Sequence, residues 1–117
     1  MVTGDTTPRT ETEWLTLPEI AEMLDVPRGR VRRMLDEQQL VGAMREGVFR
    51  IPAVFFVDGA PLSSLRGTIF VLHDAGFSDE EAIDWLLEHE DSIGMSPIGA
   101  LRAGRKSEVR RVAQSMG

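Results

Sequence analysis

A proline at position 27 divides in two an otherwise helical stretch near the start of this chain. Upstream, Thr16-Leu17-Pro18-Glu19 has the pattern of a capping box: the threonine hydroxyl accepts from the Glu19 backbone N–H, and the Glu19 carboxylate reaches back to the cap. Pro18 fits a first helical turn, where its missing N–H has no intrahelical partner to lose. Leu17, Ile20, Ala21 and Leu24 then recur at helical spacing. Val26-Pro27 closes this helix, because proline disfavours helical geometry in the residue before it. A second helix is predicted from Arg28 to Gln38, with Val31, Met34 and Leu35 as its buried stripe.

Directly behind it, Leu40 to Met44 and Val48 to Pro52 flank Arg45-Glu46-Gly47, which reads as a β-hairpin with glycine at the turn. A capped helix, a tight turn, a second helix and a hairpin, in that order, predict a winged helix-turn-helix over residues 14–57, with the wing at 41–52. Ala53 to Val57 is an apolar connector closed by the turn Asp58-Gly59. Residues 58–117 read as helical: Leu65 to Ala75, a helix opened by the capping box Ser78-Asp79-Glu80-Glu81, a short one over Pro97 to Leu101, and a last one over Ser107 to Ser115 with Val109, Val112, Ala113 and Met116 inward. Phe70 and Trp85 read as core, and Trp14 as a packing anchor. Residues 1–13 are rich in threonine and nearly devoid of apolar side chains, a composition expected of a disordered tail. The expected fold class is therefore mainly α with a small β-hairpin: a winged helix-turn-helix followed by a C-terminal α-helical bundle.

The second helix carries the chemistry. With Val31 as the buried direction and about 100° per residue, Met34, Leu35 and Gln38 fall beside it, Gly29 and Arg33 project from the opposite face, and Arg30 and Arg32 lie on its flanks. In a helix-turn-helix the start of the second helix faces base edges in the major groove. Arginine reads guanine and clamps phosphate. Arg30 and Arg33 are the candidates for base contacts, Arg28 and Arg32 for phosphates. Gly29 lets the backbone approach closely, and Arg45 and Arg50 on the wing would reach the adjacent backbone or minor groove. Double-stranded DNA is the partner these residues imply.

The formal net charge of −6 opposes that partner, but it is unevenly distributed. Residues 14–57 balance to zero, residues 58–95 carry −8 with Arg66 as their one basic side chain, and residues 96–117 carry +4. A locally basic face survives, with the acidity set apart from it. The chain contains no cysteine, which excludes disulfides and thiolate metal sites and fits a reducing cytoplasm. No apolar run is long enough for a membrane span. His73 and His89 lie far apart without a ligand pattern, no phosphate-binding glycine loop occurs, and no nucleophile has a nearby base. No cofactor, no metal and no catalysis are expected.

Leu15 through Pro27, then Val31-Arg32-Arg33-Met34-Leu35 and Gly47 through Pro52, resemble MerR- and excisionase-type winged helices. More closely, with Phe55-Phe56, Leu72 through Phe77, Asp84-Trp85-Leu86 and Val109 through Met116 added, the chain resembles a family of small actinobacterial DNA-binding proteins phosphorylated by the mycobacterial Ser/Thr kinase PknL. That resemblance implies DNA binding and a tail threonine whose phosphorylation weakens binding, since a phosphate adds about −1.5 to −2 charge; the function expected of the whole is transcriptional regulation. The tail departs from the family pattern, so Thr7, Thr10 and Thr12 are candidates by composition alone. Ser96 through Val109 also looks like the C-terminal segment of some antitoxin-type proteins. It motivates an alternative: a protein-interaction or antitoxin-like module acting through the C-terminal helices. Arg105, Lys106, Arg110 and Arg111 would either extend the DNA footprint or form an exposed basic helix face. A homodimer is left open.

Overall fold

A computed structural model describes residues 13–116; the candidate phosphorylation sites Thr7, Thr10 and Thr12 and almost all of the threonine-rich tail lie outside the described residues. The chain enters as a short strand, β1 (Trp14–Thr16), and turns at once into α1 (Leu17–Leu24). Both arms of the Thr16 box form: Glu19 N–H donates to Thr16 Oγ1 at 3.3 Å, and Thr16 N–H donates to Glu19 Oε1 at 2.8 Å. The helix ends before the proline acts. Asp25 adopts a left-handed conformation (φ 59°), and Val26 N–H reaches back to the Ala21 carbonyl at 2.9 Å. That pair of features is a Schellman-type close, so Val26 and Pro27 already belong to the turn.

The second helix, α2, spans Arg28–Asp36, two residues shorter than expected. Gln38 sits in the left-handed region (φ 61°), with Gln38 N–H bonded to the Leu35 carbonyl and Gln39 N–H to the Met34 carbonyl. This is again a Schellman close, with glutamine where glycine is usual, which is why no stop was visible in the residue types. Val31 is fully buried; Met34 and Leu35 pack half-buried against the core.

The wing forms from β2 (Ala43–Arg45) and β3 (Val48–Pro52), joined through Glu46 and Gly47, both at positive φ. Two left-handed residues make the tight turn whose twist matches paired strands. Leu40 and Val41 are buried but lie outside the strand. Pairing places β3 in the centre of a three-stranded antiparallel sheet, with Leu15 opposite Ile51 and Met44 opposite Phe49. Trp14 thus belongs to a third strand that residue-type reasoning missed, and this strand ties the start of α1 to the wing.

A 3-10 turn (Ala53–Phe55) and a second hairpin, β4 (Phe56–Val57) and β5 (Ala60–Pro61), form the connector. Beyond it come α3 (Leu65–Asp74), α4 (Asp79–Leu87), α5 (Pro97–Arg102) and α6 (Lys106–Ser115). The Ser78 capping box forms in full. Leu65, Ile69, Leu72, Ile83, Leu86, Leu101 and Val109 join Phe55, Ile20, Val31 and Ile51 in one continuous core. Two expectations fail here. Phe70 is 48% exposed, with the Arg66 guanidinium 5.5 Å from its ring centre, and Met116, just past the end of α6, is 44% exposed. Trp85 is half-buried against the core. No helix among the described residues is long and apolar enough to cross a membrane.

Candidate nucleic-acid interface

The burial of α2 is one-sided. Val31 points into the core, while Arg28, Gly29, Arg30, Arg32 and Arg33 are all exposed. None of these four arginines forms an ion pair within the described residues. They present donors to solvent on a helix whose angle is fixed by the Asp25–Pro27 turn on one side and by the Gln38 close on the other. Gly29 has open space around it: a Cβ built there meets nothing within 4 Å. No neighbour among the described residues therefore requires glycine at this position.

Arg28 and Arg32, read as phosphate clamps, come together beside the wing. With Thr16, Leu17, Pro18, Val48 and Phe49 they line a cleft of about 230 Å³ between the α1 N-terminus, α2 and β3. The two guanidinium groups favour an anion there; the α1 start offers little, because Pro18 has no N–H and the Glu19 N–H is taken by Thr16 Oγ1. The carboxylate at that helix start is held in its charged form. Glu19 has its pKa lowered, first by the hydrogen bond from the Thr16 backbone N–H, then by the Thr16 hydroxyl, with a smaller contribution from the positive charge of Arg50.

The wing arginines are placed differently from α2's. Arg50 lies mid-strand between Thr16 and Ala43, with its side chain 29% exposed, its Nε buried without a partner among the described residues, and Glu46 at 3.9 Å. Arg45 turns toward the C-terminal helices. Its Nη1 donates to Glu80 at 3.0 Å and to the Met44 carbonyl at 2.9 Å, its Nη2 stands 3.7 Å from Asp84, and its guanidinium carbon sits 4.2 Å from the ring centre of Trp14. Trp14, Glu80 and Asp84 were missed as partners of the wing. Glu80 is 35 positions away in sequence, and no local pattern connects them.

The basic residues of the C-terminal segment divide. Arg102 donates to the carbonyls of Val54 and Phe56 at 2.8 and 2.7 Å, Arg105 to Glu108 and to the Ile93 carbonyl, and Arg110 to Thr68 and the Ser64 carbonyl. These three hold the fold. Arg105 and Arg110, read earlier as exposed, are half-buried, whereas Lys106 and Arg111 are exposed. His73 bonds Asp79 at 2.8 Å across the α3–α4 corner, and His89 stands 3.3 Å from Asp91. No cluster of three or more metal-ligating side chains occurs among the described residues.

Fold and exposed arginine helix together define a winged helix-turn-helix protein. A family model described as "DNA-binding protein Rv2175c, wHTH domain" matches residues 3–56, and one described as "Rv2175c C-terminal domain of unknown function" matches residues 62–117. A relative from Mycobacterium tuberculosis, named DNA-binding protein Rv2175c, is 37% identical over 113 residues, covering 86% of this chain and 77% of the relative. The solved NMR structure of Rv2175c aligns with a TM-score of 0.82 at 34% identity, over 99% of this chain and 88% of that one. The chain belongs to the Rv2175c family.

Proposed function

We propose that the protein binds double-stranded DNA by laying α2 in the major groove, with Arg30 and Arg33 toward base edges and Arg28 and Arg32 on phosphates, and that it acts as a cytoplasmic transcriptional regulator. One observation carries this reading: four arginines without ion-pair partners among the described residues, around a glycine with open space beside it, on a helix anchored through Val31. An arginine face that merely solubilised the fold would gain from neighbouring carboxylates, yet Asp36 and Glu37 pair with none of these four. The name of the M. tuberculosis relative supports the same ligand.

Phosphate contacts make such binding salt-dependent, since each one releases counterions. A bidentate base contact contributes about 1–3 kcal/mol of discrimination. Arg30→Ala/Arg33→Ala should therefore lower affinity for a selected site by well over about tenfold while leaving the thermal midpoint in place. Selection of bound sequences from random DNA, followed by titration of the double variant, tests it. Unchanged affinity in a folded double variant rejects this surface. Modulation by a Ser/Thr kinase at Thr7, Thr10 or Thr12 belongs to the same proposal, because negative charge introduced near this interface opposes DNA. Failure of the tail to incorporate phosphate in a kinase assay rejects that part.

A further inference from the structure

Arg45 is the tip-proximal arginine of the wing, one residue before the Glu46-Gly47 turn. In a winged helix that position is suited to a DNA phosphate, yet here two carboxylates of α4 occupy the guanidinium. Glu80 accepts from it at 3.0 Å and Asp84 lies at 3.7 Å, one helical turn further on. The two carboxylates are one turn apart on the same face of α4, so both lie beside one guanidinium, as two oxygens of a phosphate would. Trp14 supports the arrangement by stacking against the guanidinium at 4.2 Å, which orients the side chain across the sheet.

The pair is also weak enough to exchange. Glu80 and Asp84 side chains are 61% and 59% exposed and that of Arg45 is 30% exposed, so water and salt screen the attraction. A buried pair in this place would be a permanent fastener. An exposed one can be displaced by a polyanion that offers denser charge.

We infer that Glu80 and Asp84 serve as an intramolecular substitute for DNA phosphate, holding the wing arginine and lowering DNA affinity until a backbone phosphate displaces them. The inference rests on the DNA-binding reading above and assigns the C-terminal unit a part in it: α4 sets how strongly the wing engages. The charge segregation of the sequence fits this role, since the −8 of residues 58–95 includes these two carboxylates.

The test is a double-mutant cycle on the full chain, read by DNA titration with a mixed-sequence duplex between about 50 and 200 mM salt. Glu80→Gln/Asp84→Asn keeps side-chain shape and leaves the Ser78–Glu81 capping box intact. It should bind about two- to fivefold more tightly at low salt, the scale of releasing an exposed ion pair. Asp58→Asn/Glu88→Gln removes the same charge from exposed positions that make no ion pair with Arg45, and should give a smaller gain. Arg45→Ala should abolish the gain and cost the Glu80/Asp84 variant more affinity than it costs the wild type. A Glu80/Asp84 variant that binds no better than wild type, or no better than its charge-matched control, overturns the inference. So does a gain that survives Arg45→Ala. If folded wild type and variants all fail to bind DNA at low salt, the functional reading falls first and takes the inference with it.

Discussion

Gly29→Ala should make the protein more stable and a poorer DNA binder. Gly29 is the second residue of α2, its φ is not in the left-handed region, and a Cβ placed on it touches nothing within 4 Å. Alanine is favoured over glycine in helices by up to about 1 kcal/mol, mainly because glycine loses more backbone freedom on folding. Close to the helix start about half of that is a reasonable expectation. On a chain of this length, about 0.5 kcal/mol corresponds to a rise of about 2 °C in the thermal midpoint. If glycine is there because a groove edge passes close to the backbone, the new methyl meets DNA instead of solvent. Misplacing α2 by even a fraction of an ångström then weakens the contacts of Arg30 and Arg33 together, and a loss of about tenfold follows if one base contact is impaired. The assay pairs thermal unfolding with titration of a selected duplex. A lower midpoint would mean that the fold itself needs glycine here. A raised midpoint with unchanged affinity would show that nothing approaches this face closely, refuting the groove geometry even if DNA binding persists.

Other outcomes follow from the packing. Gly42→Ala should destabilise by about 1–3 kcal/mol, because its Cβ would stand 2.7 Å from the Arg50 carbonyl oxygen and 2.7 Å from the Phe49 ring; chemical denaturation reads the loss. Arg102→Ala removes two hydrogen bonds to the connector carbonyls and should cost about 1–2 kcal/mol in the same measurement, without altering the α2 surface. Acid should weaken the fold through both capping boxes. Glu19 and Glu81 have folded pKa values below the ordinary 4.5, first because Thr16 and Ser78 backbone N–H groups donate to them. Their stabilisation is therefore present above that ordinary value and is lost as pH falls through the lowered folded ones. Glu19→Gln/Glu81→Gln should flatten the acid limb of a stability–pH profile while leaving the neutral-to-alkaline limb parallel to wild type.

Features set by neighbours a few residues apart are legible in the sequence itself. Both capping boxes, the Glu46-Gly47 turn and the exposed face of α2 depend on short-range spacing that residue types display directly. Helix ends were less legible, since Asp25 and Gln38 take the left-handed role usually marked by glycine. Strand β1 escaped notice because three residues are too few to show alternation, and its existence depends on β3, more than thirty residues later. Phe70 was assigned to the core on hydrophobicity alone, although it falls on the outward side of α3 from Leu65, Ile69 and Leu72. The engagement of Arg45 was invisible for a further reason. A charged side chain at a hairpin tip looks the same whether it faces DNA or its own chain.

The hairpin between the two halves has a practical consequence. Phe55 is fully buried and Phe56 nearly so, Leu62 N–H bonds the Phe55 carbonyl at 2.8 Å, and Arg102 grips the carbonyls on either side of Phe55. Both halves share these two phenylalanines, so neither can unfold without stripping cover from the other, and a single cooperative melting transition is expected. Cutting the chain at this point would not yield a smaller folded unit. It would leave a sticky apolar scar on each fragment, and any loss of DNA binding after such a deletion would report aggregation before it reported a missing contact. Point substitutions in the intact chain are the sound route to dissecting this protein.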